Sequence, residues 1–428
     1  MTDTAATAAP PKITAHGKFV ILAATALALL ATPLASPAMP EIARVFAERA
    51  ATEPFARGIL ALIDLLPGTP NVNFLVKFIM LSIPALFIIL SAPLTGWMSD
   101  RWGRKPLLNL SLAVFAISGV SGYFADSFFL FFLGRAVLGL AISGIKTATV
   151  AMVGDFFTGP ERNRFIGWQG SAMKIGGVVF MLLGGALANY GWEVPFLGYL
   201  LAFLLLPSAL FALGESLPAR APVVRRAAAG LPPDVPLLPV AYVFVSAFLA
   251  SAFFFITPVQ LPFYLTTEFN ATPFETGAAI ALGNTIGALS SLYYHRVKGR
   301  ISYPAVYSLI FLSMSAGYYA LTLATDYATS LIAMVIAGVG FGLYVPNHSA
   351  WILAVVSAKR RGVGVGIVTT AMFLGQFAAP VVAVPVIDHD NPAHIWRAVS
   401  GTLFVLAILY AALARLYPPA PAKAAPAS

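Results

Sequence analysis

Three cations stand inside long apolar runs of this chain: Arg135, Lys146 and Lys174. An ionisable group at membrane depth costs on the order of 2.5–3.5 kcal/mol on insertion scales, so each needs a reason to be there. A cation in apolar surroundings attracts an anion, and the chemistry open to these three is recognition of an anionic group on a small solute. Arg135, Gly139, Ser143 and Lys146 recur at helical spacing. The 11 residues from Arg135 to Lys146, at about 100° each, return the second side chain to within roughly 20° of the first, which predicts one polar stripe. For Lys146 the structural alternative is snorkelling, in which the amine reaches an interface and the stem stays in lipid. Gln260, Asn284, Tyr344, Asn347, His348 and Gln376 add hydrogen-bonding groups within later runs and complete the expected substrate-binding set. His348 is the histidine that falls in mid-run; its pKa range suits proton uptake near neutral pH, and its structural alternative is a hydrogen-bonded packing residue.

No Asp or Glu lies in the interior of any run, which argues against a pocket for cationic solutes. The five histidines are scattered, cysteine is absent, and no G-x-x-x-x-G-K-[ST] occurs. Thiol chemistry, cysteine metal sites and direct use of ATP are thereby excluded. No catalytic cluster gathers, so a membrane-embedded enzyme is the remote alternative. No cofactor or metal is expected, and energy would come from an ion gradient, a proton gradient first.

The elements that must hold these side chains are helices. Of the 428 residues 59% are hydrophobic and 10% charged, with a mean hydropathy of +0.84, against an apolar share of roughly 45–50% in soluble proteins. Apolar runs of about 20 residues recur along the chain, each long enough to cross a hydrocarbon core of roughly 30 Å. They are continuous rather than alternating, which predicts an all-α integral membrane protein and excludes a β-barrel. Twelve segments are expected, near 18–38, 74–97, 107–125, 128–153, 165–189, 195–214, 237–262, 274–294, 303–325, 329–354, 362–386 and 396–417. They group into halves 18–214 and 237–417, with tails 1–17 and 418–428 and a polar, proline-rich linker 215–236. The first segment is read as retained rather than as a cleaved leader. Most of the 26 Lys and Arg fall on the linker side, whereas Arg44, Arg49, Arg57, Arg397 and Lys77 are expected opposite, with most of the acids. The positive-inside rule then puts both termini in the cytoplasm and the chain in the inner membrane. The net charge of +9 is explained by this topology and not by nucleic acid. Sliding the chain by 199 residues superposes Arg162, Gly167, Ala172, Met173 and Gly176 on Arg361, Gly366, Ala371, Met372 and Gly375, so the fifth and eleventh segments are expected counterparts.

Between the second and third segments runs Gly96-Trp97-Met98-Ser99-Asp100-Arg101-Trp102-Gly103-Arg104-Lys105. Gly103 permits a bend, and Arg101, Arg104 and Lys105 suit an anionic membrane surface. Asp100, an acid among cations, is expected to pair or to face a helix N-terminus. The stretch resembles the G-x-x-x-D-R-x-G-R-K signature of the major facilitator superfamily and sits where that family carries it. Pro37 to Ala43 is similar to the end of the family's first helix. Arg135-Ala-Val-Leu-Gly139 with Ser143-Gly144, Asp155 and Arg162 is similar to its second motif. The flavour is that of the twelve-helix drug-and-metabolite efflux branch.

That resemblance implies two pseudo-symmetric six-helix halves around a midplane site. It also implies a latch made of Gly96, Asp100, Arg101, Gly103, Arg104, Lys105, Asp155 and Arg162. Asp100 would meet the start of the eleventh helix near Arg361 and Gly362, and Arg101 or Arg104 would reach Asp155. The second-half counterpart, Leu292, Arg296, Gly299 and Arg300, keeps only the closing Gly-Arg. The first helix lacks the buried acid of many proton-coupled exporters, and the fifth keeps only Gly184-Gly185 of the antiporter signature. The expected function is secondary transport by alternating access of a small organic solute, anionic or amphipathic, with export favoured. An uptake permease for an organic acid or siderophore-type anion is the alternative. The expected partners are the solute and the lipid bilayer, and the expected state is a monomer.

Overall fold

The computed structural model describes residues 13–28, 33–63, 72–215, 236–357, 361–383 and 393–416. The two tails beyond these bounds and linker residues 216–235 lie outside the described residues, as do Lys359 and Arg360. Among the described residues every regular element is helical. In the first half α1 (Ala15–Leu27), a 3₁₀ turn (Ser36–Ala38), α2 (Met39–Thr52) and α3 (Pro54–Ile63) precede α4 (Val72–Lys77). A π-helical turn (Phe78–Ser82) carries α4 into α5 (Ile83–Trp102), followed by α6 (Arg104–Val120), α7 (Phe128–Phe156), α8 (Gly159–Ala188) and α9 (Leu201–Ala212). The second half comprises α10 (Leu237–Phe269), α11 (Pro273–Leu292), the short α12 (Tyr294–Lys298), α13 (Tyr303–Leu321), α14 (Tyr327–Val355), α15 (Arg361–Ala383) and α16 (His394–Leu416).

Ten stretches are long and apolar enough to cross a membrane. The other two expected crossings are α1, of which 13 residues are described, and α11. The latter is 20 residues long but diluted with Gly, Thr, Ser and Asn. Glu41 to Arg49 lies in α2. Two helices of the second half start from capping boxes, Thr272 with Glu275 and Asp326 with Thr329. The Thr329 backbone N–H and hydroxyl hold the Asp326 carboxyl below the usual carboxylate range, so that cap stays ionised near neutral pH. At the other end of the bundle Gly103 alone joins α5 to α6, with φ 111° and ψ 159°, a conformation closed to side chains with a Cβ.

Each half packs by the same plan. In the first, α1 lies on α8, α5 on α7, and α6 on α7 and α9; in the second, α10 lies on α15, α11 on α14, and α13 on α14 and α16. Gly176 of α8 rests on Ala26 of α1, and its sequence counterpart Gly375 of α15 rests on Phe248 and Ser251 of α10. Two buried apolar clusters follow the halves, one drawn mainly from residues 20–213 and the other mainly from 240–410. Where lipid is as apolar as leucine, helices associate through close approach of small residues. The tightest is Gly342 of α14, where an added Cβ would lie 1.9 Å from the Gly287 carbonyl oxygen of α11. Gly342→Ala is expected to lower stability by about 1–3 kcal/mol, the usual scale of overpacking, read as a fall in the melting temperature of the purified protein. Gly401→Ala on α16, where nothing lies within 4 Å, is the comparison and should lose nothing.

Candidate functional site

The halves meet along two seams, α8 against α11 and α5 with its π-helical turn against α15. Call the end of the bundle that carries Gly96 to Lys105 the basic end and the other the far end. At the far end the seams are shut. Ser36 Oγ donates to the Pro258 carbonyl, Ser82 Oγ donates to the Phe377 carbonyl at 2.6 Å, and the Phe78 and Phe377 rings pack 5.8 Å apart. Gly185 sits on Pro273 and Phe274, and Gly277 sits on Met181 and Pro37.

Two of the predicted cations cross these seams. Lys146 of α7 is partly buried and holds its ammonium 4.2 Å from the Phe373 ring centre on α15. Helical side chains lean toward the helix N-terminus, here the far end, so Lys146 points into the molecule and does not snorkel to the basic end. Lys174 of α8, also partly buried, donates to Ser291 Oγ of α11. Among the described residues neither ammonium meets a carboxylate.

The polar stripe divides. Gly139 packs on Pro84 and Phe87, and Ser143 lies 3.1 Å from the Thr95 hydroxyl, both on the α5 side. Arg135 turns the other way and is wholly buried within the first half. Its guanidinium donates to the Tyr199 hydroxyl at 3.2 Å and to the Ser118 and Gly119 carbonyls at 3.2 and 2.9 Å. The Phe196 and Tyr199 rings flank it at 5.1 and 5.3 Å. Arg135 was expected in the substrate-binding set; it is instead a clamp on the C-terminal carbonyls of α6, where a cation is favoured. Equal helical direction did not mean equal surroundings, because α7 is 29 residues long and meets different neighbours at different depths.

The neutral candidates also separate. Asn347, fully buried, accepts from the Tyr294 hydroxyl and donates to the Tyr303 carbonyl, which ties α14 to the start of α13. Tyr344 joins an aromatic wall with Phe254 and Phe341, its ring 5.2 Å from Phe254 and 5.7 Å from His348. His348 is fully buried, and neither ring nitrogen has a hydrogen-bond partner among the described residues. Asn284 is partly buried on α11 and Gln376 buried on α15. Gln260 lies at the far end, where it accepts from Lys77.

Lys77 was missed as a site residue and expected on the outer surface. It lies instead inside the Asn73–Trp102 span and is 4% exposed. Folding of α2 back against α4 covers the helix end and turns an interfacial position into a buried one. The signal available was a lysine flanked by Leu75, Val76, Phe78 and Ile79.

At the basic end Arg104 gathers the turn. It bonds Asp155 of α7 at 3.2 Å, where the resemblance had left Arg101 or Arg104 open, and pairs with Asp100 at 3.1 Å while donating to the Ser99 carbonyl. Asp100, 65% exposed, therefore pairs within its own half, while the side-chain positions at Arg361 and Gly362, near which it was expected, lie outside the described residues. Glu215 accepts from the backbone N–H groups of Arg104 and Lys105 and caps α6. Arg162 caps the end of α7 through the Gly154 and Phe157 carbonyls, and Arg101 stacks over Trp97. A Cβ on Gly96 would meet nothing within 4 Å.

The family description of the Major Facilitator Superfamily matches residues 21–239 and 243–428. The chain is 22% identical over 339 residues to Multidrug resistance protein 2 of Bacillus subtilis (strain 168), covering 76% of this chain and 83% of that protein. It is 20% identical over 334 residues to Quinolone resistance protein NorA of Staphylococcus aureus (strain COL), covering 74% and 82%. The crystal structure of the human organic anion transporter MFSD10 (TETRAN) superposes with a TM-score of 0.66 at 21% identity, over 92% of this chain and 99% of that one, a likeness of fold.

Proposed function

The chain belongs to the major facilitator superfamily and is a membrane transporter rather than an enzyme, and from that premise we propose that it exports a small organic anion by alternating access. The observation that carries the reading is the pair of ammonium groups, Lys146 and Lys174, each reaching across a seam from the first half to the second with no carboxylate partner among the described residues. Such a cation gains most from an anionic ligand, and the aromatic wall of Phe254, Phe341 and Tyr344 suits the apolar body of an amphipathic one. Asn284, His348 and Gln376 are assigned to the same space as hydrogen-bonding groups. Export is supported by the two relatives, both resistance proteins. The basic end is assigned to the cytoplasm by its Lys and Arg. The far seams are shut, which fits a cytoplasm-open state. The family needs no cofactor, and coupling to a proton gradient is part of the proposal.

A thermal-shift experiment tests the charge of the ligand. Purified protein is melted with benzoate or salicylate, and in parallel with benzyltrimethylammonium, which has a ring of the same size and the opposite charge. A carboxylate that binds at roughly 100 times its Kd should stabilise the native state by about 2.7 kcal/mol. A shift with the cation and none with the carboxylates would sink the anion reading.

A further inference from the structure

We propose that Lys77 and Gln260 form a second anion subsite at the far end, which takes a carboxylate when the halves part there and draws that end open. Lys77 Nζ donates to Gln260 Oε1 at 2.5 Å and lies 4.0 Å from the Phe263 ring centre, both on α10 of the opposite half. It is 4% exposed and meets no carboxylate among the described residues. Gln260 is 5% exposed, and its amide Nε2 is buried with no acceptor. Among the described residues, one side of the seam thus holds an ammonium met by a single neutral oxygen and a ring, and the other holds two amide hydrogens without an acceptor. A carboxylate accepts from both.

The position explains when it would do so. Lys77 ends α4, and the π-helical turn Phe78–Ser82 that follows places Ser82 against Phe377. Ser36 on Pro258 lies on the other side of the same layer, two residues from Gln260 in sequence. Gln260 and Phe263, the partners of Lys77 among the described residues, therefore sit across a seam that alternating access must break, and π-helical turns recur where a helix has a function beyond packing. With the far end shut, the ammonium is excluded from water. With it open, Lys77 and the Gln260 amide face the outside together, and an anion bound there holds the halves apart. By linkage, whatever binds one state shifts the population toward it. In export the subsite is the last contact of the cargo before release, distinct from Lys146 and Lys174 nearer the basic end. The inference rests on alternating access and not on the identity of the cargo.

The chain has no cysteine, so a single Ala38→Cys, at a buried position of the 3₁₀ turn on the far seam, reports opening there. Purified protein in lipid nanodiscs is alkylated with N-ethylmaleimide in sodium benzoate and in sodium chloride. Benzoate is expected to speed labelling at least roughly fivefold, the low end of coupling between linked sites. Lys77→Gln should abolish the acceleration and Lys77→Arg keep it. Benzoate acceleration that persists in Lys77→Gln overturns the subsite while leaving alternating access in place. Labelling that occurs only after unfolding in detergent overturns both. Should Lys77→Gln fail to accumulate, Gln260→Leu decides: it removes the closed-state acceptor, so basal labelling should rise and a weakened benzoate response remain, and an unchanged basal rate counts against the proposal.

Discussion

Replacing Lys146 and Lys174 together with methionine should weaken binding of a carboxylated substrate by on the order of 3 kcal/mol, roughly a hundredfold in Kd, if each ammonium gives the substrate one charge-assisted hydrogen bond. Methionine keeps most of the side-chain volume, so the Phe373 ring and Ser291 lose a charge rather than a neighbour. The ligand-free double variant should melt no lower than the parent, and by preference higher, because two partly buried ammonium groups without carboxylate partners are a cost to the fold. The two readouts move in opposite directions, and that separates a binding site from a scaffold. Isothermal titration with salicylate gives the affinity and a thermal melt gives the stability. Unchanged affinity in the double variant would exclude both lysines from the site.

Arg135→Ala should do the reverse. It would remove three charge-assisted hydrogen bonds and leave the space between the Phe196 and Tyr199 rings unfilled. A hydrogen bond to a charged group contributes about 1.5–3 kcal/mol, so a loss on the order of 3–5 kcal/mol is expected, enough to deplete folded protein in the membrane. The rings around the guanidinium cannot close the gap. Phe196 and Tyr199 are seated on Gly122 and Gly119, where an added Cβ would come within 2.3 Å of each ring. Arg135→Lys should rescue little, since an ammonium lacks the planar fork that reaches two carbonyls and a hydroxyl at once. The protein that survives should bind salicylate with the parental affinity. A stable Arg135→Ala protein that had lost binding would return this arginine to the site.

The contrast between Arg135 and Lys146 shows where reading along the chain stops. Both were legible as intramembrane cations, and both lie on one face of one helix by angle. Their fates differ because Arg135 stands beside the end of α6 and Lys146 beside α15, and no periodicity in α7 records which helix passes at which depth. A contact of Arg101 or Arg104 with Asp155 was legible only through the family resemblance, and the single-residue bend at Gly103 is where the structure turns Arg104 toward it. The pairing of Asp100 with Arg104 was not legible, because the resemblance pointed that acid toward the other half. Lys77 failed for another reason: its burial depends on α2 folding back over the helix end, which hydropathy along α4 does not contain.

The amino-acid sequence by itself determined the helical crossings and their division into repeated halves. Those follow from hydrophobicity and charge, which act residue by residue against a layered solvent. It also determined which charges stand in apolar surroundings. Only the tertiary structure decided what those charges do: Arg135 a clamp within one half, Lys146 and Lys174 reaching across the seams, Lys77 sealed into the far end against Gln260. A charge at membrane depth has its cost set by the medium, but its role is set by the neighbour that relieves it, and neighbours from distant segments are chosen by packing.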